Sequence, residues 1–281
     1  MAAPPKRTLR DLIDAPKPWH LLSGTALKWI ALICMAIDHV GAILVWQHYL
    51  DLRSTFGADA ALWYDIYIWM RRIGRVTFPL FCFVLVEGFV HTRSKPKYAL
   101  RMLAFAVISE VPYDFALHNG VISYTSQLNV IFTLLLAFCA LWLADELGKL
   151  VARAVAHIRH QASGEARPIW WVTALFSVAT IAGAAWLADG PIDVSYHAYG
   201  ILLIGGLYLA RNHRVVQFLL GWAATAWYCD EHGSMLQMYA LAGLGCIALY
   251  NGKRGRGMKY LFYVFYPAHL LVLGLLKMWL F

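Results

Sequence analysis

The chain has 281 residues, 60% of them hydrophobic and only 14% charged, against roughly 45–50% and about 25% in soluble domains. That balance, with 12 Trp, 15 Tyr and a mean hydropathy of +0.57, excludes an ordinary water-soluble domain and points to lipid as the solvent. The net charge of +8 does not mark a nucleic-acid partner, because the basic residues fall between apolar segments and not along one face.

No Pro/Gly/Ser linker or composition shift divides the chain. It reads as a cytoplasmic tail over 1–25 and a polytopic membrane domain over 26–281. The tail carries Lys6, Arg7, Arg10 and Lys17 among four prolines and lacks the small-residue cleavage site of a signal peptide. A spanning helix needs about 20 mostly apolar residues, fewer inside a bundle. That rule predicts an all-α integral membrane bundle of nine transmembrane helices, near 26–46, 73–91, 98–118, 128–144, 169–188, 197–210, 215–229, 234–250 and 260–280. With the N-terminus inside, 19 of the 24 Lys and Arg fall on the inner side, which predicts an N-in, C-out protein of the bacterial inner membrane. Cys34, Cys82, Cys139, Cys229 and Cys246 lie in or beside apolar runs without CxxC spacing. No disulfide framework and no metal site is expected.

Ionisable residues within spans are costly and therefore mark functional candidates. The first span contains adjacent Asp38 and His39, with His39 roughly 20 Å from the inner end at about 1.5 Å per residue. Neighbours at i and i+1 point about 100° apart, so each is expected to meet a partner on another helix. The second span places Arg72 and Arg75 on one face at its outer end, and Glu87 and His91 on one face at its inner end. Snorkelling and a structural ion pair are the plainer readings of those groups. In the third span Glu110 and Asp114 stand one turn apart with Pro112 between them, and Asn129 opens the fourth. Asp38, His39, Arg75, Glu110, Asp114 and Asn129 thus form a candidate polar network in the outer half, whose plainer reading is packing. At the inner face Lys97 and Arg101 lie one turn apart, either flanking the membrane or meeting a phosphorylated ligand. The last span has Tyr266, Pro267 and His269 near its middle. Walker, dinucleotide, HExxH and GxSxG motifs are absent.

The strings LKWIALICMAIDHVG, RRIGRVTFPLFCFVLVEGFVHTRSKPKYALR, ISEVPYDFAL, QLNVIFTLLLA, YGILLI and LFYVFYPAHLLVL resemble the TraX family, from about Leu27 to Leu273. That resemblance implies N-terminal acetylation of a pilin, or fimbrial assembly. More remotely, the first-span His, the FPLF…EG segment followed by basic residues, and the late aromatic–Pro–x–His helix are similar to multi-span acyltransferases that acylate surface sugars. The likeness implies an acyl-CoA donor from the cytoplasm, a catalytic His39, and donor contacts from Lys97 and Arg101. Lys97 stands where that pattern favours Arg, and the spacing is one residue longer.

The expected function is transfer of an acyl group, most simply acetyl, from acetyl-CoA or another acyl-CoA to an amine or hydroxyl such as a pilin N-terminus or an envelope glycan. His39 is the expected base, oriented by Glu110 or Asp114, with Arg75 or Asn129 stabilising the oxyanion and Asp38 in the same cluster. Lys97, Arg101, Glu87 and His269 are set on the donor side. A proton-coupled small-molecule transporter would use the same ionisable residues, and a non-catalytic assembly partner would need an exposed binding surface.

Overall fold

The nine expected apolar segments all contain helix, and their lengths separate those built to meet lipid from those built to be covered by protein. In the computed structural model, which describes residues 20–55, 60–118, 127–158, 170–256 and 259–281, α1 covers Gly24–Val40. A π-helical turn over Gly41–Val45 joins it without a break to α2, Trp46–Thr55. Helix α3 (Ala60–Gly74) passes through a short turn at Arg75 and Val76 into α4 (Thr77–His91). Then follow α5 (Lys95–Leu117), α6 (Val130–Ile158), α7 (Trp170–Asp189) and α8 (His197–Leu209). Helix α9 is Arg214–Glu231, a 3-10 turn over Met235–Tyr239 opens α10 (Ala240–Ala248), and α11 is Lys259–Leu280. Residues 1–19 of the expected tail, and Arg159 and Arg167 among the inner cations, lie outside the described residues.

Five stretches among the described residues are long and apolar enough to cross a membrane: Gly24–Ser54, Ala60–His91, Val130–His157, Trp171–Asp189 and Tyr263–Leu280. The protein is thus an all-helical membrane protein. His197–Leu209 and Met235–Ala248 are apolar but shorter. Burial explains the short α8: Ile201, Leu203, Ile204 and Leu207 have no exposed surface, while Leu202 and Leu209 are open at 36% and 39%, so protein covers most of the helix and leaves one narrow apolar edge. Helix α4 lies beside it, with Phe78, Leu80, Phe83 and Val86 at 2% exposure or less. Helix α5 shows the opposite pattern. Leu100, Leu103, Val107 and Val111 form an exposed apolar stripe at helical spacing, a face suited to acyl chains and costly in water.

Between the first and second expected spans, where no helix was expected, residues 47–55 and 60–72 are helical. Helices α2 and α3 pair through aromatic contacts, with ring centres of Trp46 and Tyr67 4.8 Å apart and His48 edge-on to Trp63 at 4.4 Å. Arg71, Arg72 and Arg75 therefore do not end a span. They lie within a 32-residue helical run, with Arg71 about 17 Å from its start at Ala60 at 1.5 Å per residue.

Contacts between chain-distant segments define the two ends of the bundle. At one end, the amide of Gly24 donates to the Lys253 carbonyl at 2.8 Å, and the Thr25 hydroxyl donates to the Arg256 carbonyl at 2.8 Å. Gly252 and Gly255 make this clasp possible, with φ of +75° and +72°, a region that other residues enter only under strain. Lys95 and Lys149 hold Asp145 there, and Arg211 lies over the Tyr208 ring at 4.5 Å. At the opposite end, the Leu128 amide donates to the Asp193 carbonyl at 2.9 Å and Gln127 reaches His197 at 2.9 Å. We term these the basic and the acidic end. Single cysteines at positions 212 and 253, in a cysteine-free background, are expected to label from one side of intact membranes and a cysteine at 192 from the other. Labelling of all three from one side would overturn the assignment of the ends.

Candidate functional site

Between the two ends runs a cavity of about 1070 Å³. Helix α1 lines it with Lys28, Met35 and His39 and the π-helical turn with Ala42, spaced 7, 4 and 3 residues apart and so near one helical face, with Asp38 at its edge. Rise along α1 places Lys28 about 16 Å from His39. The basic end of the cavity carries Lys28, His91, Arg93, Arg101 and Arg254, with Glu87 beside them. Its middle is apolar, with Phe81, Leu85, Met102 and Leu134. Its far part holds Arg71, Arg75, Tyr113, Gln127, Ser195 and Tyr196.

His39 sits where the apolar part meets the polar part. Its Nδ1 is 2.6 Å from Nε2 of His269 on α11, and Nδ1 of His269 is 2.6 Å from the Phe265 carbonyl oxygen. The two ring centres are 4.9 Å apart with 23° between planes. A nitrogen lies about 1.1 Å from its ring centre, so that separation is what an edge-to-edge, near-coplanar contact gives, with the hydrogen bond in the ring plane. A carbonyl oxygen only accepts, so His269 donates from Nδ1. In a neutral ring its Nε2 is then an acceptor and His39 donates from Nδ1. The Nε2 of His39 is left as the nitrogen with a lone pair.

Asp38 takes its partner elsewhere, as the i, i+1 spacing predicted. Its Oδ2 accepts from Nη1 of Arg71 at 2.7 Å, with side-chain exposures of 14% and 20%. The contact needs a glycine opposite: a Cβ on Gly74 would lie 2.0 Å from Asp38 Oδ1. Arg75 lines the cavity and donates to Oε1 of Gln237 at 3.3 Å, and Gln237 donates to the Tyr199 hydroxyl at 3.3 Å. Arg72 instead covers the rings of Trp69 and Tyr239 at 4.5 and 5.2 Å, so the predicted pairing of Arg72 with Arg75 is replaced by Arg71 with Arg75. Nearby, Tyr196 adopts φ of +65° at the start of α8 and stacks on Phe78 at 3.7 Å. A left-handed tyrosine costs on the order of 1 kcal/mol and persists only when its surroundings hold it there.

The acids expected to orient His39 are employed on the connection into α6. Glu110 accepts from the backbone amide of Asn129 at 3.2 Å and from its side-chain amide. Asn129 in turn accepts from the Ile131 amide at 2.9 Å. That is helix capping, with a carboxylate at the positive end of α6, so the packing reading holds for these two contacts. Asp114 is 3.2 Å from Nδ1 of His118. On α5 the cavity face belongs to Tyr98, Arg101, Met102, Tyr113 and Leu117, and Glu110 and Asp114 lie off it.

On the donor side, Arg101 and Glu87 line the cavity, and Glu87 accepts from the Tyr250 hydroxyl at 3.3 Å. Lys97 is exposed in the first turn of α5 and is not a lining residue, although Arg93 and Tyr98 on either side of it are. His269 also lies off the lining, behind His39. The sequence reading missed Lys28, Arg93, Arg254, Tyr113, Ser195 and Tyr196. Lys28 carried a usable signal, since it shares the helical face of His39. Arg254 carried none, because only the folded clasp brings residue 254 back to α1.

The family model for TraX protein matches residues 23–277. The chain is 30% identical over 275 residues to the probable fimbrial assembly protein FimC, serogroup H1, of Dichelobacter nodosus, which covers 92% of this chain and 97% of that protein. No solved structure matches the chain. The polar first-span His, the FPLF…EG helix and the aromatic–Pro–x–His helix all fall within the matched region and form the walls and backing of one cavity, and on these grounds the chain belongs to the TraX family.

Proposed function

We propose that this protein is a bacterial inner-membrane acyltransferase, N-in and C-out with nine crossings, using acyl-CoA from the cytoplasm to acylate an amine or hydroxyl. The observation that carries the reading is the contact of His39 Nδ1 with His269 Nε2, itself backed by the Phe265 carbonyl, which assigns the lone pair of His39 to Nε2 on a ring lining a cavity whose other end is cationic. The acceptor nitrogen or oxygen attacks the thioester carbonyl, and its proton passes to His39 Nε2. The C–S bond breaks as the new acyl bond persists, and the proton from His39 leaves with the thiol. Arg75 on the same cavity supplies a cation for the developing oxyanion. Lys28, Arg93, Arg101 and Arg254 meet the donor phosphates, and the apolar middle takes the uncharged arm that follows them. The likeness to a probable fimbrial assembly protein supports a pilin-type acceptor.

A proton-coupled transporter is disfavoured by the same geometry. A proton relay needs groups that take a proton and pass it on, and the chain from His39 through His269 ends on a backbone carbonyl, which does neither. Purified protein in detergent, given labelled acetyl-CoA and membrane extract, is expected to move label to an acceptor or release it slowly to water. Absence of transfer with several acceptors present, together with gradient-driven uptake in liposomes, would overturn the proposal. The mouth is tested separately. Charge-assisted hydrogen bonds contribute about 1.5–3 kcal/mol each, so Arg101→Ala with Arg254→Ala is expected to weaken CoA binding by at least about a hundredfold and flatten its salt dependence. Lys97→Ala is expected to change binding little, and an equal effect from Lys97→Ala would move the mouth.

A further inference from the structure

Histidine is the side chain whose function depends most on which ring nitrogen carries the proton, and that choice is made by its neighbour. His39 has a neighbour of an uncommon kind. Most orienting partners of a catalytic imidazole are carboxylates, and two acids on α5, Glu110 and Asp114, were available in the sequence. The fold sends both elsewhere and puts a second imidazole, His269, behind the first at 2.6 Å.

We infer that His269 is a positioning residue for the base: it holds the His39 ring protonated at Nδ1 and keeps Nε2 directed at the cavity, while staying neutral itself. The inference rests on the acyltransferase reading for its catalytic consequence, but the arrangement of protons stands on geometry alone. His269 is locked from its own side. Its Nδ1 donates to the Phe265 carbonyl one turn back on α11, and its ring lies on the Phe265 ring at 4.7 Å with 16° between planes. A ring so held presents one acceptor, in one direction, to α1. The reverse arrangement, with His39 accepting, requires N–H on both nitrogens of His269 and hence a cation. Arg71 and Arg75 act on His39 as like charges, and Asp38, the acid next to it in sequence, is engaged by Arg71. An added buried cation there has no counter-charge, so the neutral arrangement prevails.

A neutral acceptor also differs from a carboxylate in what it does for the base. It fixes orientation and tautomer without forming an ion pair that would hold His39 protonated before the acceptor arrives. When His39 takes the acceptor's proton on Nε2, its Nδ1–H bond to His269 becomes charge-assisted and strengthens. His269 thus stabilises the protonated base only at the moment it forms.

The test separates this inference from the enzymatic reading. Protein labelled with ¹⁵N-histidine in detergent micelles is examined by NMR, with His39→Gln used to assign the His39 resonances. The expected result is Nδ1 protonated and Nε2 bare on His39, with that signature changed to a mixture in His269→Ala. In the label-transfer assay, His269→Ala is expected to lower kcat about 10–10²-fold, the usual effect of removing a ring's orienting partner, with KM for the donor unchanged. His269→Gln keeps an acceptor oxygen near the position of Nε2 and is expected to recover most of that loss, while His269→Phe keeps the ring volume and is expected to recover none. A wild-type His39 carrying its proton on Nε2, or a folded His269→Ala with unaltered tautomer and turnover, overturns the inference. If no variant and no wild type transfers label, the acyltransferase reading fails, and the NMR result still decides the histidine pair.

Discussion

His39→Ala is expected to lose about 10²–10⁴-fold in acyl transfer, the range general-base catalysis contributes, while the bundle stays folded. The variant removes the Nε2 lone pair and leaves His269 a cavity-side neighbour with nothing to orient. His39 packs beside Tyr266, at 6.2 Å between ring centres, and lines a cavity, so truncation enlarges an existing space and does not open a new void in a packed core. His39→Gln is the stricter variant. It fills most of the volume and can still donate to His269, yet it cannot accept a proton from the acceptor. Both are expected to bind CoA like the wild type, because Lys28 is about three turns away on α1 and Arg101 and Arg254 line the same basic end as Lys28. Detergent-purified protein with labelled acetyl-CoA measures turnover, and equilibrium binding of CoA measures the donor step. Wild-type turnover in His39→Gln would remove the base from the mechanism. Loss of CoA binding together with turnover would mean that the variant had disturbed the cavity as a whole.

Asp38→Ala is expected to act on stability and not primarily on chemistry. It strips the counter-charge from Arg71 in a pair whose side chains are 14% and 20% exposed. Leaving one partner of a buried pair uncompensated costs about 3–5 kcal/mol, a large fraction of the 5–15 kcal/mol by which folded domains are stable. Replacing both partners with apolar residues of similar size removes the pair without stranding a charge, so Asp38→Ala with Arg71→Met is expected to recover most of the loss. Gly74→Ala provides an independent route to the same defect, since its methyl would occupy the place of Asp38 Oδ1. Unfolding midpoints in one detergent, for the wild type, the two single variants at positions 38 and 71, and the double variant, form a thermodynamic cycle. A single variant at position 38 that unfolds with the wild type would show that the pair is screened by solvent and contributes little.

Several features of this protein were determined by its sequence alone. Apolar runs of spanning length have one soluble-free solution, the helix, because every backbone group must find a partner within its own segment. Helix was therefore expected over each of the nine runs, and helix is present in each. The adjacent Asp38 and His39 had to diverge by about 100° on any helix, and they do, to Arg71 and His269. The likeness to TraX rested on strings of residues, and the family match covers them. Tertiary structure decided the rest. Residues 47–72 looked like a polar outer loop because their apolar positions are interrupted by Asp51, Arg53 and Asp65. They fold as α2 and α3 because aromatic rings on each helix supply the other's partner, which periodicity within one segment cannot reveal. Depth estimates placed Glu110 level with His39, but rise along a helix says nothing of which way a side chain faces. Glu110 was claimed by the buried Asn129 at the start of α6, and the base was left to a histidine 230 residues away in the chain. A one-dimensional pattern fixes what lies on a helix face. Only the packing of faces against one another determines which of those residues meet.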